Sequence, residues 1–203
     1  MPRIVNKESK KLAILHAAMR VFAQKGVVKT KMIDVANTAG VGKGTIYEYF
    51  RSKEEIFEQA FQFVFTTTED KIKEALITTE DPIEQLRLLL EVSLSHFFHD
   101  GGEFAGIMMD FWAEGIRKKD EKLLSIIDLK QIYKSYRNMI ATILENGIRK
   151  GIFRKINTFR TSAVFIAAMD GVLLQWILDR ELIDLNKIAR DLIEVFLNGI
   201  KIK

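Results

Sequence analysis

The amino-acid sequence predicts an all-α fold of about nine helices, on three observations. Apolar residues recur at spacings of three and four, and no segment sustains the alternation of a half-buried strand. Only two prolines occur in 203 residues, and they stand at position 2 and at a helix start, where neither interrupts a helix. Glycines and capping residues cut the chain into pieces of helix length.

The first helix spans about Glu8 to Lys25 and ends at Gly26. Its Ile14, Ala17, Ala18, Val21 and Phe22 fall at i, i+3, i+4, i+7 and i+8, one stripe facing a core, and His16 is read as a structural member of the same helix. From Thr30 to Lys53 the chain reads TKMIDVANTAGVGKGTIYEYFRSK, two short helices around the turn Ala39-Gly40-Val41. Thr30 is placed to cap the first of them, with Ile33, Ala36 and Ala39 inward. The second runs from about Lys43 to Tyr49. Ile46 and Phe50 point inward, and Lys43, Gly44, Thr45, Tyr47 and Glu48 lie on the exposed side. Two short helices held at a steep angle by a glycine turn present one helix to the major groove of DNA.

Ser52-Lys53-Glu54-Glu55 is a capping-box pattern that opens a long connector helix, about residues 53–78. Asp81-Pro82 starts the next, which passes through Leu86, Leu89, Leu90 and Leu94 to the Gly101-Gly102 break. Further helices are expected from about Glu103 to Arg117, from Glu121 to Lys150 with Gly151 as its stop, from Thr158 to Arg180, and from Leu185 to Lys201. The predicted division is a DNA-binding domain at 1–55 and a second helical domain at 56–203.

Charge supports that division. Residues 1–55 carry 11 Lys/Arg against 5 Asp/Glu, whereas the remainder carries 20 against 22. The positive surplus thus coincides with the helix-turn-helix, where phosphate neutralisation supplies affinity and salt dependence. The absence of cysteine excludes disulfides, thiolate zinc sites and Cys nucleophiles. Residues 1–11 lack the apolar run of a signal peptide. The most apolar segment, Ala163 to Leu178, contains Asp170 and Gln175 and is read as falling short of a membrane span. The expectation is a soluble cytoplasmic protein.

The pattern Thr30, Val35, Ala36, Ala39, Gly40, Val41, Gly44, Thr45, Tyr47, Tyr49, Phe50, Lys53 and Glu54, preceded by Ala17, Phe22 and Gly26, resembles the signature of the TetR family of bacterial transcriptional regulators. The resemblance covers about the first 60 residues. It implies a homodimer that binds a near-palindromic operator, with a C-terminal domain that holds an inducer and dimerises through its last two long helices. By the same resemblance the DNA-contacting set is Thr30, Lys31, Gly42, Lys43, Gly44, Thr45, Tyr47, Glu48, Tyr49 and Lys53. Thr30 would clamp a phosphate from a helix N-terminus, and Tyr49 and Lys53 would touch the backbone beside the groove. Lys43 could donate to guanine, Gly44 would allow close approach, and Glu48 could accept from cytosine. Gly42 departs from the family pattern, which often has a capping Ser there.

For the effector cavity the expected lining is Phe104, Met108, Phe111, Trp112, Tyr136, Met139 and Met169. A mostly apolar pocket suits a long aliphatic or acyl effector, and the Phe111-Trp112-Ala113-Glu114 segment is loosely similar to fatty-acid-responsive relatives. Asp110, Glu114 and Asp170 among aromatics would suit a lipophilic cation instead. For the dimer the expected contacts are Val164, Ala168, Val172, Trp176, Leu192 and Phe196. His96 and His99 share a helical face, but two His without a third ligand do not make a metal site, so no metal or cofactor is expected. No Ser–His–Asp set or phosphate loop can be assembled, so an enzyme is not expected. The reading is a ligand-responsive repressor; the rival is an architectural DNA-binding protein with a filled C-terminal core.

Overall fold

The computed structural model describes residues 7–99, 102–119, 126–181 and 184–202. Among them the chain forms α1 (Lys7–Lys25), α2 (Met32–Ala39), α3 (Lys43–Tyr49), α4 (Lys53–Leu76), α5 (Pro82–His99), α6 (Gly102–Lys118), α7 (Leu129–Arg149), α8 (Thr158–Leu178) and α9 (Leu185–Ile200). No strand occurs among the described residues; an isolated antiparallel bridge joins Phe153 and Lys201. The all-α expectation holds.

Two compact units divide the chain, residues 1–66 with 100–127, and 67–99 with 128–203. In the first, the stripe of α1 is buried with Val35 and Ala36 of α2, Ile46 of α3, and Ile56, Phe57, Ala60 and Phe61 of α4. A run of rings extends this core toward α6. Phe22 meets Phe57 edge-on at 5.7 Å between centroids, and Phe57 lies 4.4 Å from Phe111. Phe61 stands at the same 4.4 Å from Phe104. His16 lies on the exposed side of α1, with its ring 6.4 Å from that of Phe63, so it is no part of the buried stripe.

In the second unit, Leu86, Leu89, Leu90 and Leu94 of α5 bury against Ile140, Ile143 and Leu144 of α7, Phe165 and Ile166 of α8, and Ile193 and Leu197 of α9. The turn between α7 and α8 is built on Gly151, whose φ of +71° suits glycine. It is clasped to the chain's end by Arg154 N–H donating to Ile200 O at 2.9 Å and Ile202 N–H to Ile152 O at 3.1 Å.

One boundary and one reading of composition differ from expectation. Residues 126–128 are not helical, and α7 begins at Leu129 because the Asp128 carboxylate accepts the Gln131 N–H at 3.0 Å as N-cap. The proposed start at Glu121 lies outside the described residues. α8, 21 residues long with an 18-residue window of mean hydropathy 1.6, reaches the length and apolarity of a membrane span, contrary to the sequence reading. Its Phe165, Ile166, Met169 and Leu173 are buried in a protein core, while its Val164, Leu174 and Leu178 are exposed.

Candidate nucleic-acid interface and effector residues

The approach to α2 is held by three elements. Gly26, at φ +73°, turns the chain out of α1, and its carbonyl accepts the Thr30 hydroxyl at 2.8 Å. Thr30 is 1% exposed. Lys31, not Thr30, is the N-cap of α2, in extended backbone at φ −112°, ψ 153°. The cap is made from inside the helix, because the Asp34 carboxylate accepts the Lys31 N–H at 2.9 Å and pairs with Lys25 Nζ at 2.8 Å. The Lys25 ammonium and then the Lys31 amide hold the Asp34 carboxyl below the usual carboxylate range. The expected cap by Thr30 is therefore corrected: its hydroxyl turns back to α1 and is withdrawn from solvent.

α2 ends at Gly40, left-handed at φ 67°, with Val41 N–H donating to Ala36 O and Gly40 N–H to Asn37 O, a Schellman closure. Ile33 is exposed, and Val35 joins Ala36 in the core in its place. With a short helix wedged at a steep angle, the buried face is set by its neighbours: it keeps Ala36, leaves Ala39 half-buried and takes Val35 in place of Ile33.

α3 begins after Gly42, which caps with backbone alone. Ile46 and Phe50 are buried, as the spacing implies, and Lys11 places its ammonium 6.0 Å from the Phe50 ring. Lys43, Gly44, Tyr47 and Glu48 are exposed, and Thr45 and Tyr49 are half-buried. The outer face of α3 thus offers a cation, a gap without a side chain, a phenol and a carboxylate. A Cβ built on Gly44 meets nothing within 4 Å.

Lys53 Nζ donates to the Val28 carbonyl, which ties the first turn of α4 to the loop before α2. The capping box is realised in a shifted form: Ser52 Oγ accepts the Glu55 N–H at 3.2 Å, while the Glu55 carboxylate accepts from Arg51 N–H at 2.7 Å.

The expected effector lining divides between the units. Phe104, Met108 and Phe111 are buried in the first, where the two Phe rings pack on Phe61 and Phe57. Tyr136, Met139 and Met169 belong to the second, packed in or against its core. The side chains of Trp112, Glu114, His96 and His99 lie outside the described residues. Asp170, still reached by solvent, accepts the Tyr133 hydroxyl at 2.9 Å. Partial enclosure raises the Asp170 carboxyl above its ordinary value, and the Tyr133 bond opposes that rise. Burial, then the Asp170 charge, pushes the Tyr133 phenol up; burial and Glu69 do the same to Tyr136.

Of the expected dimer contacts, Val164 is 62% exposed, but Val172 and Trp176 are buried within the chain. Ala168, Leu192 and Phe196 are half-buried, Phe196 lying 4.6 Å from Phe165 between ring centroids. Instead an outward stripe runs Val164, Ala167, Gly171, Leu174 and Leu178, at alternating spacings of three and four, with Leu178 77% exposed. On α9, Val195 is 74% exposed.

A family model described as bacterial regulatory proteins, tetR family, matches residues 14–60, and a model of the YsiA-like protein C-terminal region matches residues 57–199. The fatty acid metabolism regulator protein of Bacillus subtilis is 28% identical over 200 residues, covering 96% of this chain and 97% of that one. The solved structure of the fatty acid degradation regulator FadR from Bacillus halodurans superposes with a TM-score of 0.80 at 25% identity, over 94% and 95% of the two chains. FadR from Bacillus subtilis in complex with stearoyl-CoA superposes at 0.75 with 24% identity, over 93% and 98%.

Proposed function

The chain belongs to the TetR family of bacterial transcriptional regulators, and from that premise we propose a DNA-binding repressor that an acyl-type effector releases from its operator. The observation that carries the effector class is the end-to-end likeness to the fatty acid metabolism regulator of Bacillus subtilis and to the fatty acid degradation regulator of Bacillus halodurans. In this reading residues 1–55 read DNA and residues 56–203 bind effector and dimerise.

Two copies pair through the outward faces of α8 and α9. Val164, Ala167, Gly171, Leu174 and Leu178 with Val195 supply an apolar seam of the coiled-coil kind, and Ala167 and Gly171 permit close approach. The paired α3 helices enter major grooves one turn apart, about 34–36 Å along the duplex. Lys43, Gly44, Tyr47 and Glu48 face the bases, and Lys31, Tyr49 and Lys53 lie toward the backbone. Effector and DNA oppose one another because each favours a different arrangement of the dimer, a coupling of about 1–3 kcal/mol.

The lipophilic-cation alternative is weaker because the Asp170 carboxylate is engaged by Tyr133. An architectural role is not favoured, since the chain matches regulators over almost its whole length.

The test is fluorescence anisotropy of the full-length protein on DNA from upstream of its own gene, with and without long-chain acyl-CoA. Release in the micromolar range is expected. Tight acyl-CoA binding with unchanged operator affinity would overturn the mechanism.

A further inference from the structure

In the second unit α5 and α9 border a cleft of about 510 Å³, a size common among small-molecule sites. Its walls are apolar and buried: Leu90 and Leu94 from α5, and Leu185, Ala189 and Ile193 from α9. The charged residues that line it keep solvent access, Arg87 half-buried and Glu91, Asp184 and Arg190 exposed. They stand at the mouth.

The charges are not equivalent. Asp184 is engaged as the N-cap of α9, accepting Lys187 N–H at 3.2 Å and pairing with Lys187 Nζ at 3.3 Å. The side chains of Arg87, Arg190 and Glu91 form no hydrogen bond or ion pair with any described residue. Two guanidinium groups against one free carboxylate leave a positive surplus over an apolar interior. Guanidinium groups match carboxylate and phosphate oxygens in pairs of parallel hydrogen bonds.

We propose that this cleft holds an amphipathic anion, with an acyl chain against the five apolar walls and its carboxylate or phosphate on Arg87 and Arg190. The assignment rests on the acyl-effector reading and gives that effector a place in the fold. None of these residues belongs to the lining expected from sequence. Arg87 and Arg190 are more than 100 residues apart, and only the packing of α9 on α5 brings them to one opening.

Isothermal titration of the full-length protein with decanoate and with decanoyl-CoA tests it, using decyltrimethylammonium as the control with the same chain and the opposite charge. The wild type should bind both anions and prefer them to the cation. Arg87→Gln/Arg190→Gln should weaken anion binding about tenfold or more, with a melting curve to show the fold intact. Loss for both anions places the acid or thioester end on the arginines; loss for decanoyl-CoA alone places its phosphates there. A diazirine-bearing decanoate should label peptides of α5 or α9 in the wild type. If the wild type binds neither anion, both this site and the acyl reading fall. If it binds them and the double variant binds within twofold, or labelling falls elsewhere, the site is wrong and the acyl reading stands. Preference for the cation would overturn the charge argument.

Discussion

The Phe153 ring covers Gly147 so closely that a Cβ on Gly147 would stand 2.1 Å from Cδ2. Gly147 lies in the last turn of α7, and Phe153 follows the Gly151 turn, so the ring folds back over the helix it has just left. Phe153 is fully buried and also pairs with Lys201, which joins the α7–α8 turn to the end of α9.

Gly147→Ala should therefore displace a buried aromatic ring rather than merely improve helix propensity. The expected loss is about 1–3 kcal/mol of stability, read as a lower urea midpoint. Operator affinity measured well below the melting temperature should change little.

Two carboxylates predict opposite pH behaviour. Asp34 has a folded pKa below its ordinary value, so its stabilisation is present above the unfolded value of 3.8 and is lost as pH falls through the folded one. Asp34→Asn should lower the melting temperature at pH 7 and flatten its acid-side decline. Asp170 has a raised folded pKa, so it opposes folding at neutral pH, and that penalty is relieved as pH falls through the folded value. Asp170→Asn, which keeps an acceptor for Tyr133, should raise the melting temperature at pH 7 and leave it unchanged well below pH 3.8.

Lys43 and Lys53 should separate by readout. Lys43 is exposed on the outer face of α3, so Lys43→Ala should cost about 1–3 kcal/mol on the best operator and less on altered ones. Lys53 already donates to the Val28 carbonyl. Lys53→Ala should weaken all sequences evenly and lower protein stability by about 1 kcal/mol. Competition across operator variants, with melting curves alongside, checks both.

Gly44 and Gly42 test the groove contact without perturbing the core. The added Cβ of Gly44→Ala meets open space in the free protein, so stability should rise by up to about 1 kcal/mol. Against DNA the same methyl should weaken operator binding about tenfold if α3 sits close to the base edges. Gly42→Ser should stabilise α3 by roughly a few tenths of a kcal/mol as a side-chain cap, with affinity unchanged or improved.

Leu174→Glu puts a charge on the outward stripe of α8 and should give a monomer at micromolar concentration by sedimentation equilibrium, with loss of specific operator binding. Trp176→Phe, at a buried position two residues on, should reduce stability but leave a dimer. A dimer for Leu174→Glu would place the interface elsewhere.

Much of this was legible from local pattern. The apolar stripe of α1, the inward Ile46 and Phe50, and the glycine turn at Gly40 follow from steric and periodic rules that act within a few residues. So did the multi-position match that named the family. Periodicity was less reliable for the phase of a helix. It makes α8 apolar on several sides and does not distinguish Val172 and Trp176 from Val164 as dimer contacts.

By itself the sequence determined an all-α chain, a basic helix-turn-helix at its start, and the regulator family to which it belongs. Those rest on spacing, composition and residue identity. Only the tertiary structure decided that Thr30 bonds Gly26 and Lys53 bonds Val28, that Leu174 faces outward while Trp176 is buried, and that Arg87 and Arg190 share one cleft. The reason is physical. A hydroxyl or an ammonium has many possible partners along a chain, and a helix has more than one apolar face. Which partner and which face are used depends on the elements that pack around them.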